Sequence, residues 1–106
     1  MAKIPSEIIE IVNKYIEIIK NDINIEKIIL YGSYAKGEYN ESSDIDLAVV
    51  ISEYDEKDFI SMGTFLLDKS FVLKVDLQPL PFSIEEYNSP KGIMEEILRT
   101  GIEIAA

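Results

Sequence analysis

Cysteine is absent from the 106 residues. That excludes a disulfide framework and a thiolate zinc site, and it leaves nothing that points to an oxidising compartment. A cytoplasmic location is the default expectation. Arginine is nearly absent too, with Arg99 alone beside nine lysines. Twenty acidic against ten basic residues give a formal charge of −10, so the free chain lacks the clustered positive charge that holds a phosphate backbone. Direct nucleic-acid binding is not expected; a basic partner, or a ligand whose charge a metal neutralises, suits it better. No stretch approaches the ~20 apolar residues of a membrane span, and the opening Met-Ala-Lys-Ile-Pro lacks the apolar run and cleavage site of a signal peptide. Neither membrane attachment nor export is expected. Five glycines and four prolines against 47% hydrophobic residues exclude a collagen-like or disordered chain. The length has room for one core, so residues 1–106 are expected to form a single domain.

Between Pro5 and about Asp22, Ile8, Ile9, Val12, Tyr15, Ile16 and Ile19 recur at helical spacing among Glu7, Glu10, Lys14 and Lys20. That spacing predicts an amphipathic helix, started by Ser6 as N-cap or by Pro5 in its first turn. The run Lys27 to Tyr31 is short, β-branched and aromatic, and reads as a first strand stopping at Gly32. Asp44 to Ile51 has the composition of a buried second strand. Asp55 to Lys69 reads as a helix, weakened by Gly63, and Phe71 to Pro79 as a third strand with Leu73, Val75 and Leu77 alternating with Lys74, Asp76 and Gln78. One or two short helices follow from Ser83 to Arg99, closed by Gly101 ahead of a brief strand at Ile102-Glu-Ile104. These elements imply an α/β (α+β) class, a small mixed sheet flanked by helices.

Asp44 and Asp46 lie two apart on a strand and so project from one face, where like charges repel and are costly to desolvate without a cation or strong donors. Such a pair is a seat for Mg2+, which takes oxygen ligands and keeps positions open for substrate phosphates. Alone, Asp-x-Asp more often begins an exposed strand end, with Ser43 or Asp44 bonding local backbone. The string Gly32-Ser33-Tyr34-Ala35-Lys36-Gly37 changes the balance, because it lies between the first strand and the acidic one. Gly32 permits close backbone approach, Ser33 and neighbouring amides can donate to phosphate oxygens, and Lys36 adds positive charge. Alone, Gly-Ser is also an ordinary turn and Lys36 a surface charge. Asp76, on the polar face of the third strand, could reach the same cleft as a third carboxylate or simply face solvent.

The string GSYAKG, a short loop, and SSDIDLAVV resemble the glycine-serine and Asp-x-Asp signature of the minimal nucleotidyltransferases of the DNA polymerase beta superfamily, with KVDLQPL as the later strand bearing one aspartate. The resemblance spans roughly residues 5–104 and implies the polymerase-beta-like nucleotidyltransferase fold. It makes Gly32 and Ser33, with Lys36 nearby, the triphosphate-binding residues of an ATP substrate. It makes Asp44 and Asp46 ligands of two Mg2+ ions, and Asp76 a ligand of the catalytic ion and a base for the acceptor hydroxyl. Many relatives carry arginine where Lys36 stands, which replaces a planar fork with a point charge. Attack of an acceptor hydroxyl on the α-phosphorus, with pyrophosphate leaving, needs no histidine, and the chain has none.

No segment is left over for an appended helical domain, so the acceptor site is expected to be completed by another molecule. Minimal members of the family are commonly encoded beside a HEPN-domain ribonuclease, with which they form a toxin–antitoxin pair by adding AMP to a tyrosine of the toxin. The resemblance implies that role here, and an acidic chain suits a basic RNA-cutting partner. Two other roles remain open: an antitoxin that silences its partner by contact alone, and a transferase acting on small molecules, against which the size of the chain argues. Acceptor, base preference and oligomeric state are not legible in the sequence.

Overall fold

The structure, a computed structural model, describes residues 4–104. The isoleucine spacing of the first segment produces helix α1 (Ser6–Ile19), which buries Ile8, Val12, Tyr15 and Ile19 along one face. Pro5 rather than Ser6 stands at the N-cap, its carbonyl accepting from the N–H groups of Ile8 and Ile9, and the helix ends three residues short of Asp22.

Four strands follow: β1 (Ile25–Tyr31), β2 (Ile45–Ile51), β3 (Leu77–Ser83) and β4 (Ile102–Ile104). They form one sheet in the order β3-β2-β1-β4, parallel between β2 and β3 and antiparallel elsewhere. The sheet is therefore small and mixed, and the expected class holds. Central strand β2 is apolar on both sides, as a strand covered on two faces must be. Ile45, Leu47, Val49 and Ile51 pack with α1 and with helix α3 (Phe59–Ser70). Ala48 and Val50 face the other way, against Phe82 and against Met94 and Ile97 of helix α5 (Ile93–Thr100). Tyr15 ties the first layer together by donating its hydroxyl to the Leu66 carbonyl at 2.7 Å.

Two further elements depart most from the sequence expectation. The helix expected from Asp55 begins instead with a separate tight turn at Glu56–Asp58, because the Asp55 carboxylate accepts the Lys57 N–H; α3 starts only at Phe59. The third strand runs Leu77–Ser83, not Phe71–Pro79: Phe71–Leu73 form one more helical turn after α3, and Lys74 turns left-handed at φ 56°. Pro79 and Pro81, which look like a strand stop, are tolerated because β3 is an edge strand. Positions two apart send their N–H sides the same way, here outward, where no ladder bond is lost. Gly101 closes α5 as expected but in extended backbone. Its requirement is space, since a Cβ there would stand 2.5 Å from the Ile97 carbonyl oxygen and 2.7 Å from Ile29 Cγ2. Helix α4 (Ile84–Asn88) starts on a capping box, with Ser83 Oγ accepting the Glu86 N–H and the Glu86 carboxylate accepting the Ser83 N–H.

Because β1 runs opposite to β2 and β3 runs along it, the end of β1 and the starts of β2 and β3 meet at one edge of the sheet. Gly32-Ser33, Asp44-Ile45-Asp46 and Asp76 all fall there.

Candidate active site

Along the face of β2 that carries Ala48 and Val50, burial runs out at the strand's beginning: Asp46 is half-buried and Asp44, just outside the strand, is exposed. The pair feels itself. Burial, and then the charge of Asp44, raise the Asp46 carboxyl above the usual aspartate range. Asp46 lies opposite Tyr31 on β1 and Gln78 on β3, so one row across three strands reads Tyr31, Asp46, Gln78. Burial, followed by the Asp46 charge, pushes the Tyr31 phenol up to about 12.

Gly32 adopts φ 76° and ψ −149°, a conformation open essentially to glycine alone. A Cβ at this position would collide with the Asp46 carboxylate. The glycine-serine turn and the acidic strand are thus in direct apposition. Ser33 opens a single helical turn, α2 (Ser33–Lys36), which Gly37 ends in the left-handed region at φ 74°. Lys36 donates its N–H to the Gly32 carbonyl at 3.1 Å and Glu38 to that of Ser33 at 2.9 Å. The N–H groups of Ser33, Tyr34 and Ala35 precede the first bond of the turn and remain donors, although one turn carries little macrodipole. Lys36 is exposed and faces the α5 flank: with Arg99, whose hydrogen bond is the larger influence, its charge holds the Glu96 carboxyl below its ordinary value.

Asp76 is exposed and immediately precedes β3, at the centre of a tight turn closed by the Leu77 N–H on the Val75 carbonyl at 3.0 Å. Its own carbonyl accepts the Ile45 N–H at 2.8 Å, which fixes it beside Asp44. Among the described residues, no three Asp, Glu, His or Cys side chains are gathered tightly enough to hold a metal ion. The three aspartates are therefore neighbours along one edge, not a closed cage. The paired carboxylates nonetheless fit Mg2+: they offer hard oxygen donors, one is half-buried against Gly32, and Mg2+ commonly takes one or two protein carboxylates and completes its shell with water and phosphate. Tyr31 and Gln78 were not foreseen as flanks of Asp46, because only strand register reveals them.

The family model for polymerase beta, nucleotidyltransferase, matches residues 13–106. A relative from Methanocaldococcus jannaschii, provisionally named a protein adenylyltransferase, is 44% identical over 77 residues, covering 68% of this chain and 74% of its own. Another from the same organism, named likewise, is 38% identical over 94 residues, 88% of this chain and 94% of its own. Among solved structures, a provisionally assigned nucleotidyltransferase from Sulfolobus solfataricus superposes with a TM-score of 0.70 at 15% identity, over 92% of this chain and 78% of that one. A toxin–antitoxin structure with AMP-PNP gives 0.56 at 21% identity, over 90% and 70%. At such identities the superpositions speak to the fold, while the family match and the 44% relative speak to descent. The chain therefore belongs to the polymerase beta nucleotidyltransferase family and is a nucleotidyltransferase.

Proposed function

We propose that the chain transfers AMP from ATP to a tyrosine hydroxyl of a HEPN-domain toxin, with Mg2+ as cofactor, and so serves as that toxin's antitoxin. The observation that carries this reading is the apposition of Gly32 and Asp46, which sets the glycine-serine turn against the paired aspartates at one edge of the sheet. The names of the Methanocaldococcus relatives support a protein acceptor, and a fold neighbour captured as a toxin–antitoxin pair with AMP-PNP supports both nucleotide and partner.

In this proposal Gly32 and Ser33 cradle the triphosphate through backbone N–H groups and the Ser33 hydroxyl, and Lys36 adds positive charge at the rim. Asp44 and Asp46, with Asp76 for a second ion, would hold Mg2+, which supplies charge neutralisation at the phosphates and acidity at the acceptor hydroxyl. Asp76 is assigned the role of taking the hydroxyl proton as the acceptor oxygen bonds to the α-phosphorus. The bond to pyrophosphate breaks in the same displacement. Most of the rate enhancement would come from positioning.

Incubation with ATP labelled at the α-phosphate, and separately at the γ-phosphate, tests the reaction class. Label on the partner from the α position alone is the expected result; label from the γ position would mean phosphoryl transfer. The spacing of the three aspartates along the edge favours, as a second reading, an antitoxin acting by contact. In that case neither label moves while the toxin is still silenced.

A further inference from the structure

Between α3 and β3 the chain forms a knuckle. Phe71–Leu73 make a tight helical turn, Lys74 is left-handed, and a three-residue turn centred on Asp76 leads into the sheet. Leu73 is packed against the core and Leu77 is buried, so the knuckle is pinned at both sides. Around these anchors Phe71, Val72 and Val75 stand in solvent, with 64%, 67% and 37% of their surface exposed. Side chains of this size at such exposure present on the order of 300 Å² of apolar surface, the scale of a functional patch. A left-handed non-glycine residue marks backbone held against its preference. The sequence thus holds three large apolar groups in water on a fixed, strained turn.

The location says what they are for. Val75 adjoins Asp76, and Asp76 is tied to Ile45 beside the acidic pair, so this surface is continuous with the catalytic edge. We infer that Phe71, Val72 and Val75 form the docking surface for the acceptor protein, gripping an apolar patch next to the tyrosine that is to be modified. This rests on the protein-modifying reading above. Charge argues for the same kind of partner face. Phe59–Val75 contains two lysines and one aspartate, a net +1, while the rest of the chain carries −11. The acidity that suits a basic partner lies elsewhere, and contact at the knuckle is hydrophobic, not electrostatic.

The test is steady-state transfer of AMP to the genomic partner by the wild type, by Phe71→Ser with Val72→Ser, and by Ile60→Ser, which removes an equally exposed side chain at the far end of α3. Because these side chains are already in water, the variants should fold, and unfolding curves check this. The docking surface predicts a partner KM raised about tenfold or more in the double variant, with kcat and calorimetric ATP affinity unchanged and Ile60→Ser like wild type. It also predicts that the ratio of the double variant's KM to the wild-type KM moves less than about twofold between roughly 50 and 500 mM NaCl. An unchanged KM in the double variant, or a ratio that collapses with salt, overturns the inference. So does a self-associated dimer in sedimentation velocity that the double variant dissociates while partner KM stays fixed. If the wild type transfers no AMP at all, the proposed function fails on its own; the docking surface is then decided by partner affinity without nucleotide, which the double variant must still weaken about tenfold.

Discussion

The Asp46 carboxylate occupies the space in which a side chain on Gly32 would stand. Two segments that are 14 positions apart are joined by this contact into one site, and Gly32→Ala should break it twice over. The new Cβ would push the carboxylate away, and φ 76° would be strained for any L side chain. The expected outcome is a loss of about 2 kcal/mol or more in urea unfolding, together with ATP affinity at least about tenfold weaker by titration calorimetry. Wild-type affinity in Gly32→Ala would detach the glycine turn from the nucleotide site.

The acidic pair should be a burden to the metal-free protein. Asp46 is raised by burial and by Asp44, so its carboxylate form is disfavoured in the folded state, and replacing both acids removes a repulsion. Asp46 remains partly solvated, which limits the gain to less than about 1 kcal/mol. In EDTA, Asp44→Asn with Asp46→Asn should melt at the wild-type temperature or up to about 4 °C above it. A clear fall would mark the pair as structural turn residues.

Two buried tyrosines should respond oppositely to loss of the hydroxyl. Tyr15 donates to the Leu66 carbonyl, so Tyr15→Phe removes the hydrogen bond that ties α1 to α3 and should cost about 1 kcal/mol in chemical denaturation. The Tyr54 hydroxyl is buried without a partner among the described residues, so Tyr54→Phe should be neutral or mildly stabilising.

Alkaline pH gives the same residues a second readout. Burial, as the leading cause, raises the phenols of Tyr15, Tyr31 and Tyr54 above the ordinary 10.0, the last two to about 12. The folded state therefore keeps protons that the unfolded chain releases. The stability they contribute is complete below pH 10.0 and is lost as pH rises through the folded values toward about 12. Melting temperature should hold up to about pH 10 and fall beyond it, less steeply for Tyr15→Phe. A decline beginning near neutrality would contradict this assignment.

What the sequence disclosed and what it hid follow from the range of the interactions involved. The helix from Ser6 and the strands at Tyr31 and Asp44 are set by local periodicity and were legible, and with them the meeting of Gly32, Ser33, Asp44 and Asp46 at one sheet edge. The third strand was misplaced because Phe71, Leu73, Val75 and Leu77 alternate like a strand, although the first two complete a helical turn whose fit to the core is a tertiary matter. Pro79 and Pro81 hid the true strand, since only sheet order shows that β3 is an edge. Asp76 reaches the acidic edge through its backbone bond to Ile45 and not through the strand alternation expected of it. Tyr31 and Gln78 join Asp46 only through register.

Intact-mass spectrometry of a HEPN-domain toxin offered as the proposed partner, after incubation with the chain, ATP and Mg2+, decides whether AMP is transferred. The expected result is the added mass of one adenylate on a tyrosine with the wild type, and none with Asp44→Asn and Asp46→Asn. Asp76→Asn should still bind ATP yet leave the toxin unmodified, because the nucleotide-side carboxylates can act without it whereas activation of the acceptor hydroxyl cannot. A toxin that is bound and silenced with no change in mass, and silenced equally well by Asp76→Asn, would contradict the account and leave contact alone as the mode of neutralisation.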